Sequence, residues 1–263
     1  TLADGHIIGV QGQLTHWERY IEELNQSDAF QSASEQTAPG VFDVEGSKGY
    51  AITGYYPASH PVTIMFWYKP NEKLFVYDQS LSGVTDVNSS SSLALGQSMY
   101  GVMYRTKKYG EQAYDHDLVN EQWNHIALTI GGEFTTLYVN GQQALLSKNT
   151  LTSIAYPFFL GAANFEGLAR RHMNGKLDNV MKWQRELTRE EVRRFMITSP
   201  NPESDSTLEW LYRFDDTKNG WVKNEVTNLY DLKLVHGAKI SAERPFVDLD
   251  KDGLDDKLEL ASC

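Results

Sequence analysis

The spacing of hydrophobic residues changes period along the chain. In "HIIGVQGQLTHWERYIEELNQ", Ile7, Val10, Leu14, Trp17, Ile21 and Leu24 recur in steps of three and four. That spacing puts them on one face of a helix, expected near residues 6–25. Gly9 and Gly12 weaken its start. The polar run "QSDAFQSASEQTAPG" then reads as a linker. Such a stripe either packs on the protein's own domain or serves as a stalk or docking face for a partner protein. From about residue 38 to 185 the period becomes that of strands. "PVTIMFWYKP" is β-branched and aromatic and ends at a proline, and "KLFVYDQS", "SLALGQSMYGVMY" and "NHIALTI" are similar. "TTLYVNGQQALLS" holds Asn140-Gly141 between two strand-like runs, a strong hairpin signal. In "LTREEVRRFM" the period returns to that of a helix, expected over 189–197. Thr188 and Glu191 form a capping box there, with Val192 and Phe195 on one face. Further strand-like runs follow, "TLEWLYRFDD" and "YDLKLVHGAKI".

Many short strands joined by tight turns predict an all-β sandwich of two antiparallel sheets, with an N-terminal amphipathic helix and a short helix after the main strands. The expected organisation is a helix and polar linker at 1–37, a sandwich at 38–243 that 208–240 completes, and a separate acidic segment at 244–263. A lone apolar strand left exposed at 208–240 would invite aggregation, which favours its inclusion in the sandwich.

The order of segments resembles the laminin G-like, concanavalin A-like lectin domains of bacterial surface and secreted proteins, which are also similar to pentraxins. The resemblance is carried by "GVFDVEGSKGYAIT" followed by "VTIMFWYKP", by "WNHIALTIGGEFTTLYVNGQQ", by "FFLGAANFEG", and by "MNGKLDNVMKWQRELTREEV". It implies a concanavalin A-like jelly roll and an extracellular or cell-surface location. One feature departs from the family's order. A strand of the type "LEWLYRFDD…DLKLVHGA" usually precedes "GVFDVEG", whereas here it follows the helix. The resemblance also implies a structural role for Asp178 in "GKLDNV".

Composition narrows the partners. The chain has 263 residues, enough for a substantial core, and a formal net charge of −11. So acidic a surface argues against nucleic acid, since no basic face is available to displace phosphate counterions. No apolar run is long enough to span a bilayer, so no membrane insertion is expected. Cys263 is the only cysteine, which excludes an internal disulfide. The chain begins at Thr1 rather than Met, as expected where a targeting segment has been removed.

Candidate chemistry is concentrated near the C-terminus, in "DLDKDGLDDKLE" at 248–259. A twelve-residue calcium loop takes oxygens from positions 1, 3, 5, 7, 9 and 12, with glycine at 6 for the turn. Those positions are Asp248, Asp250, Asp252, the carbonyl of Leu254, Asp256 and Glu259, with Gly253 at the turn. Carboxylates so closely spaced repel one another without a cation, and calcium is the expected cofactor. "ISAERPF" before the loop contains a proline and no amphipathic pattern, so a structural calcium is expected rather than a paired sensor.

The remaining polar residues suit binding better than catalysis. The Glu-x-Asp-x-x-Glu arrangement of one sandwich hydrolase family is absent, as is Gly-x-Ser-x-Gly. His116, His125 and His172 stand alone in the sequence, a pattern more typical of structural histidines. Sugar sites need aromatic faces with amides or charged groups beside them. "MYRTKKYGEQAYDHDL" supplies Tyr104, Arg105, Tyr109, Tyr114 and Asp115, and "AANFEGLARRHMNG" supplies Asn164, Phe165, Glu166, Arg170 and Arg171. The expected function is a non-catalytic module that binds a glycan or cell-surface glycoprotein. A polysaccharide-active enzyme of the same fold, and a lectin-like module on a surface filament such as a type IV pilin, are the alternatives.

Overall fold

The computed structural model describes residues 40–245, apart from 59–60, 72–78, 85–92, 99–100, 107–109, 114–117, 119–120, 149–153, 166–167, 228 and 244. The helix expected near 6–25 and the acidic loop at 248–259 lie outside the described residues.

Two antiparallel sheets face each other. Numbered along the chain, the first contains β1 (Val41–Asp43), β3 (Val62–Pro70), β8 (Asn124–Ile130), β9 (Thr135–Val139), β10 (Gln142–Ser147), β14 (Gly175–Trp183), β15 (Leu208–Tyr212) and β19 (Lys239–Ser241). The second contains β2 (Tyr50–Ala58), β4 (Gln79–Val84), β5 (Leu93–Ser98), β6 (Gly101–Thr106), β7 (Gly110–Ala113), β11 (Ile154–Leu160), β16 (Thr217–Lys218), β17 (Trp221–Val222) and β18 (Leu232–Val235). The first runs β10-β9-β8-β3-β14-β1-β19, with β15 also on β14, and the second runs β16-β17-β18-β2-β11-β4-β5-β6-β7. A small hairpin stands apart, β12 (Ala163–Phe165) on β13 (Leu168–Arg170). This is the expected jelly-roll sandwich. Among the described residues no helix is long and apolar enough to cross a membrane.

The period-two pattern explains the core. Phe42, Ile64, Phe66, Ile126, Leu128, Leu137 and Leu177 point inward from the first sheet, against Ala51, Leu95, Val102, Phe158, Leu160, Leu232 and Leu234 of the second. β3 is buried at nearly every position because its outer side is covered as well. There the helix α1 (Arg189–Ile197) lays Val192 and Phe195 on Met65, Ala127, Tyr138, Met181 and Trp183. The capping box is present: the Glu191 amide donates to Thr188 Oγ1 (3.2 Å), and the Thr188 amide to Glu191 Oε2 (2.9 Å). At the C-terminal end of the helix Phe195 stacks on Trp183 at 5.0 Å, and Trp67 Nε1 donates to the Met196 carbonyl (3.2 Å).

The segment after the helix supplies strands to both sheets. β15 pairs with β14, β18 with β2, and β19 with β1. The fully buried Asn224 ties β15 to the loop before β18: its amide nitrogen donates to the carbonyls of Glu209 and Leu229, and its oxygen accepts from the Leu211 amide. The links β1 to β2 and β18 to β19 cross between the sheets side by side. The second crossing is a tight turn, with His236 (φ 53°) and Gly237 (φ 87°) in the left-handed region. The crossings meet so closely that a Cβ on Gly49 would lie 2.4 Å from the Ala238 amide nitrogen. Asp178 accepts from the amide of Asn179 (2.7 Å), whose φ of 48° marks the bulge where β14 leaves register with β3.

Candidate functional site

The two sheets differ in what covers their outer sides. Among the described residues a helix, α1, covers the first, so the second is the better place for a ligand. Register fixes which residues face outward there. Lys218 lies opposite Trp221, Trp221 opposite Lys233, Lys233 opposite Ile52, and Ile52 opposite Phe159. Opposed residues share a face. Ile52 and Phe159 belong to a small cluster with Tyr50, Ala162 and Val235, separate from the main core. The row therefore runs across the outer face. Its floor is buried, but Trp221 is 42% exposed. The Lys233 amino group lies 5.2 Å from the Trp221 ring centroid and donates to the Asn219 carbonyl (3.0 Å). Burial lowers the pKa of Lys233. Asn219 (φ 53°) and Gly220 (φ 73°) form the two-residue turn that delivers Trp221 to this position.

One step along the strands, Val235 lies opposite Tyr50. The Tyr50 ring gathers three others: Phe159 at 5.1 Å, His236 stacked at 5.5 Å, and His172 at 6.0 Å. Lys48, Arg170 and His236 are exposed around it. His172 is half-buried, and burial lowers its pKa first, followed by the positive charges of Lys48 and His236 and, more weakly, Arg170; an interaction with the Gly49 backbone opposes them. The result is an aromatic floor with a cationic rim at the corner where the chain crosses between sheets.

Of the residues singled out in the sequence, Arg170 ends β13 opposite Ala163, and Arg171 follows it with φ 52°. Arg170 joins the corner through its charge on His172. Tyr104 and Arg105 lie on β6, near the far edge of the same sheet, and Asn164 and Phe165 lie on β12. Tyr109, Tyr114, Asp115 and Glu166 lie outside the described residues, as do Asp248, Asp250, Asp252, Leu254, Asp256 and Glu259. Among the described residues no three His, Cys, Asp or Glu side chains cluster as metal ligands. Sequence reasoning missed Lys48, Tyr50, Trp221 and His236, and took His172 as isolated. The Asn219-Gly220 pair was a readable signal for Trp221, but the approach of His236 to Tyr50 depends on a pairing more than 180 residues apart in sequence.

No curated protein matches the chain. Among solved structures, a candidate carbohydrate-binding protein from Bacteroides ovatus superposes with a TM-score of 0.59 at 17% identity, over 80% of this chain and 61% of that one. This chain thus spans about three-fifths of that protein's length. A heptameric SAP-like pentraxin from Limulus polyphemus superposes with a TM-score of 0.58 at 11% identity, over 81% of this chain and 99% of that one. At these identities the likeness is one of fold. The sequence itself matches the Laminin_G_3 profile, described as the concanavalin A-like lectin/glucanases superfamily, over residues 45–193, which is more than half the chain. The chain therefore belongs to the Laminin_G_3 family of concanavalin A-like domains.

Proposed function

We propose that the protein is a non-catalytic, extracellular glycan-binding module that carries a structural calcium. The observation that carries this reading is Trp221, a large aromatic residue left 42% exposed on the outer face of the second sheet, the face that also carries the cationic rim around Tyr50. Exposed aromatic rings offer flat apolar surface to the C–H faces of sugars, while charged and amide groups nearby serve hydroxyls and substituents. Kinship with lectin-like domains and a structural neighbour described as a candidate carbohydrate-binding protein support the same reading. Calcium at 248–259 would stiffen the chain beyond Glu243, which is anchored to the first sheet by Lys69 (2.5 Å) and Lys176 (2.7 Å). Extracellular millimolar calcium fills even weak sites of this kind. The expected helix at 6–25 would serve as a contact for a partner protein.

The test is a glycan array probed with and without calcium, using the wild-type chain and Trp221→Ala. Binding to a defined set of glycans, lost in Trp221→Ala with an unchanged melting temperature, is the expected result. Absence of binding to any glycan sinks the reading. Reducing-end release from a polysaccharide panel, abolished by changing one Asp or Glu, would establish an enzyme instead.

A further inference from the structure

Three segments remote in sequence meet at the Tyr50 ring: 48–50 at the start of β2, 170–172 at the end of the β12–β13 hairpin, and His236 in the crossing turn. Each brings positive or protonatable side chains, and two of these, Lys48 and Arg170, are exposed and make no ion pair among the described residues. Such a cluster is out of keeping with the rest of the molecule, whose net charge is −11. A surface that repels anions overall but concentrates cations at one corner favours a ligand that brings its negative charge to that corner. The His172 imidazole, lowered in basicity by burial and by the cations around it, shows that the crowding is felt there.

We propose that this corner is an acid-recognising subsite: a carboxylate or sulfate group of the glycan seats between Lys48 and Arg170 beside His236, and the chain continues toward Trp221. This inference rests on the glycan-binding reading. The geometry suits an oligosaccharide better than an isolated anion. Trp221 lies two strands across from Tyr50 and two residues along, about 12 Å by strand spacing and rise, the reach of a short sugar chain. Between them lie Lys233, whose amino group turns to the Asn219 carbonyl, and the apolar Ile52 and Val235, a surface suited to sugar rings rather than to a lone ion. Arg170 provides the planar fork suited to two oxygens, and Lys48 a mobile point charge.

The test compares three pairs of probes by calorimetry: trigalacturonic acid against its methyl ester, chondroitin sulfate against its desulfated form, and anionic against neutral phospholipid vesicles. Expected is at least one acidic saccharide binding about tenfold more tightly than its neutralised or desulfated counterpart, the gain of one charge-assisted hydrogen bond. Lys48→Ala and Arg170→Ala each erase that preference, Arg170→Lys restores part of it, and raising salt from low to physiological weakens it. A preference for sulfate over carboxylate, or the reverse, identifies which acid the subsite takes. If acidic and neutralised saccharides bind alike and Trp221→Ala abolishes both, the acidic subsite is wrong while the glycan reading stands. If no saccharide binds, both fail. Equal binding to anionic vesicles, insensitive to Trp221→Ala, reduces the corner to non-specific charge and overturns the subsite.

Discussion

His125 shows how far a single residue can set the pH behaviour of this protein. It sits on β8, fully buried, with its ring 5.3 Å from Trp67 in an edge contact and neither ring nitrogen hydrogen-bonded among the described residues. Burial pushes its pKa down to about 3. A group whose pKa falls on folding binds fewer protons in the native state than in the unfolded chain. Its contribution is therefore intact above about pH 6.5 and is lost as pH drops from there toward 3. By pH 4 the loss is on the order of 3 kcal/mol. His125→Leu keeps a similar apolar body and removes the titration. The expected outcome is a urea midpoint that falls less between pH 7 and pH 4 than in the wild type; an unchanged slope would locate the acid sensitivity elsewhere. The sequence marked His125 as structural, and it is fully buried. What the sequence could not convey is the company each side chain keeps. His172 also stood alone in the sequence, yet lies 6.0 Å from Tyr50 in a ring cluster with His236.

At the scale of elements, local chemistry was far more legible. The capping box at Thr188 and the Asn140-Gly141 turn (φ 49° and 68°) are present where the residue pattern expected them, because both are determined by neighbours in the chain. Thr188→Ala should cost about 1 kcal/mol, read from chemical denaturation. The same helix leans on Arg185, which pairs with Glu191 (2.8 Å) and Asp205 (3.1 Å), so Arg185→Ala combined with Thr188→Ala should be non-additive, since the two share Glu191. The acidic loop is the other element with a local signature. Asp252→Ala should abolish calcium uptake measured by calorimetry and the calcium-induced rise in melting temperature, while the sandwich still folds. Uptake undiminished in that variant would refute the ligand set. Less legible were the short β16 and β17, two residues each, which carry Trp221. They are too short to show a period, and only the Asn219-Gly220 turn betrays them.

At the scale of the whole molecule, the family profile ends at residue 193, but the sheets do not. The strands from 208 to 241 bury Trp210, Tyr212, Leu232 and Leu234 in the common core. Deleting residues 208–263 should therefore abolish a cooperative urea transition followed by far-UV circular dichroism, whereas a chain ended at 247 should retain it. A sharp transition in the shorter chain would show that the later strands are accessory. The pairing of β1 with β19 and of β2 with β18 joins the two ends of the described chain. Such distant contacts must wait for loop closure, so refolding is expected to be slow for a domain of this size. In the cell the delay is longer. At ordinary elongation rates the ribosome needs roughly ten to forty seconds to add the residues between Tyr50 and its partner Val235. Throughout that interval one edge of β2 has no partner strand, so the nascent chain, more than the finished protein, is the form that needs a chaperone.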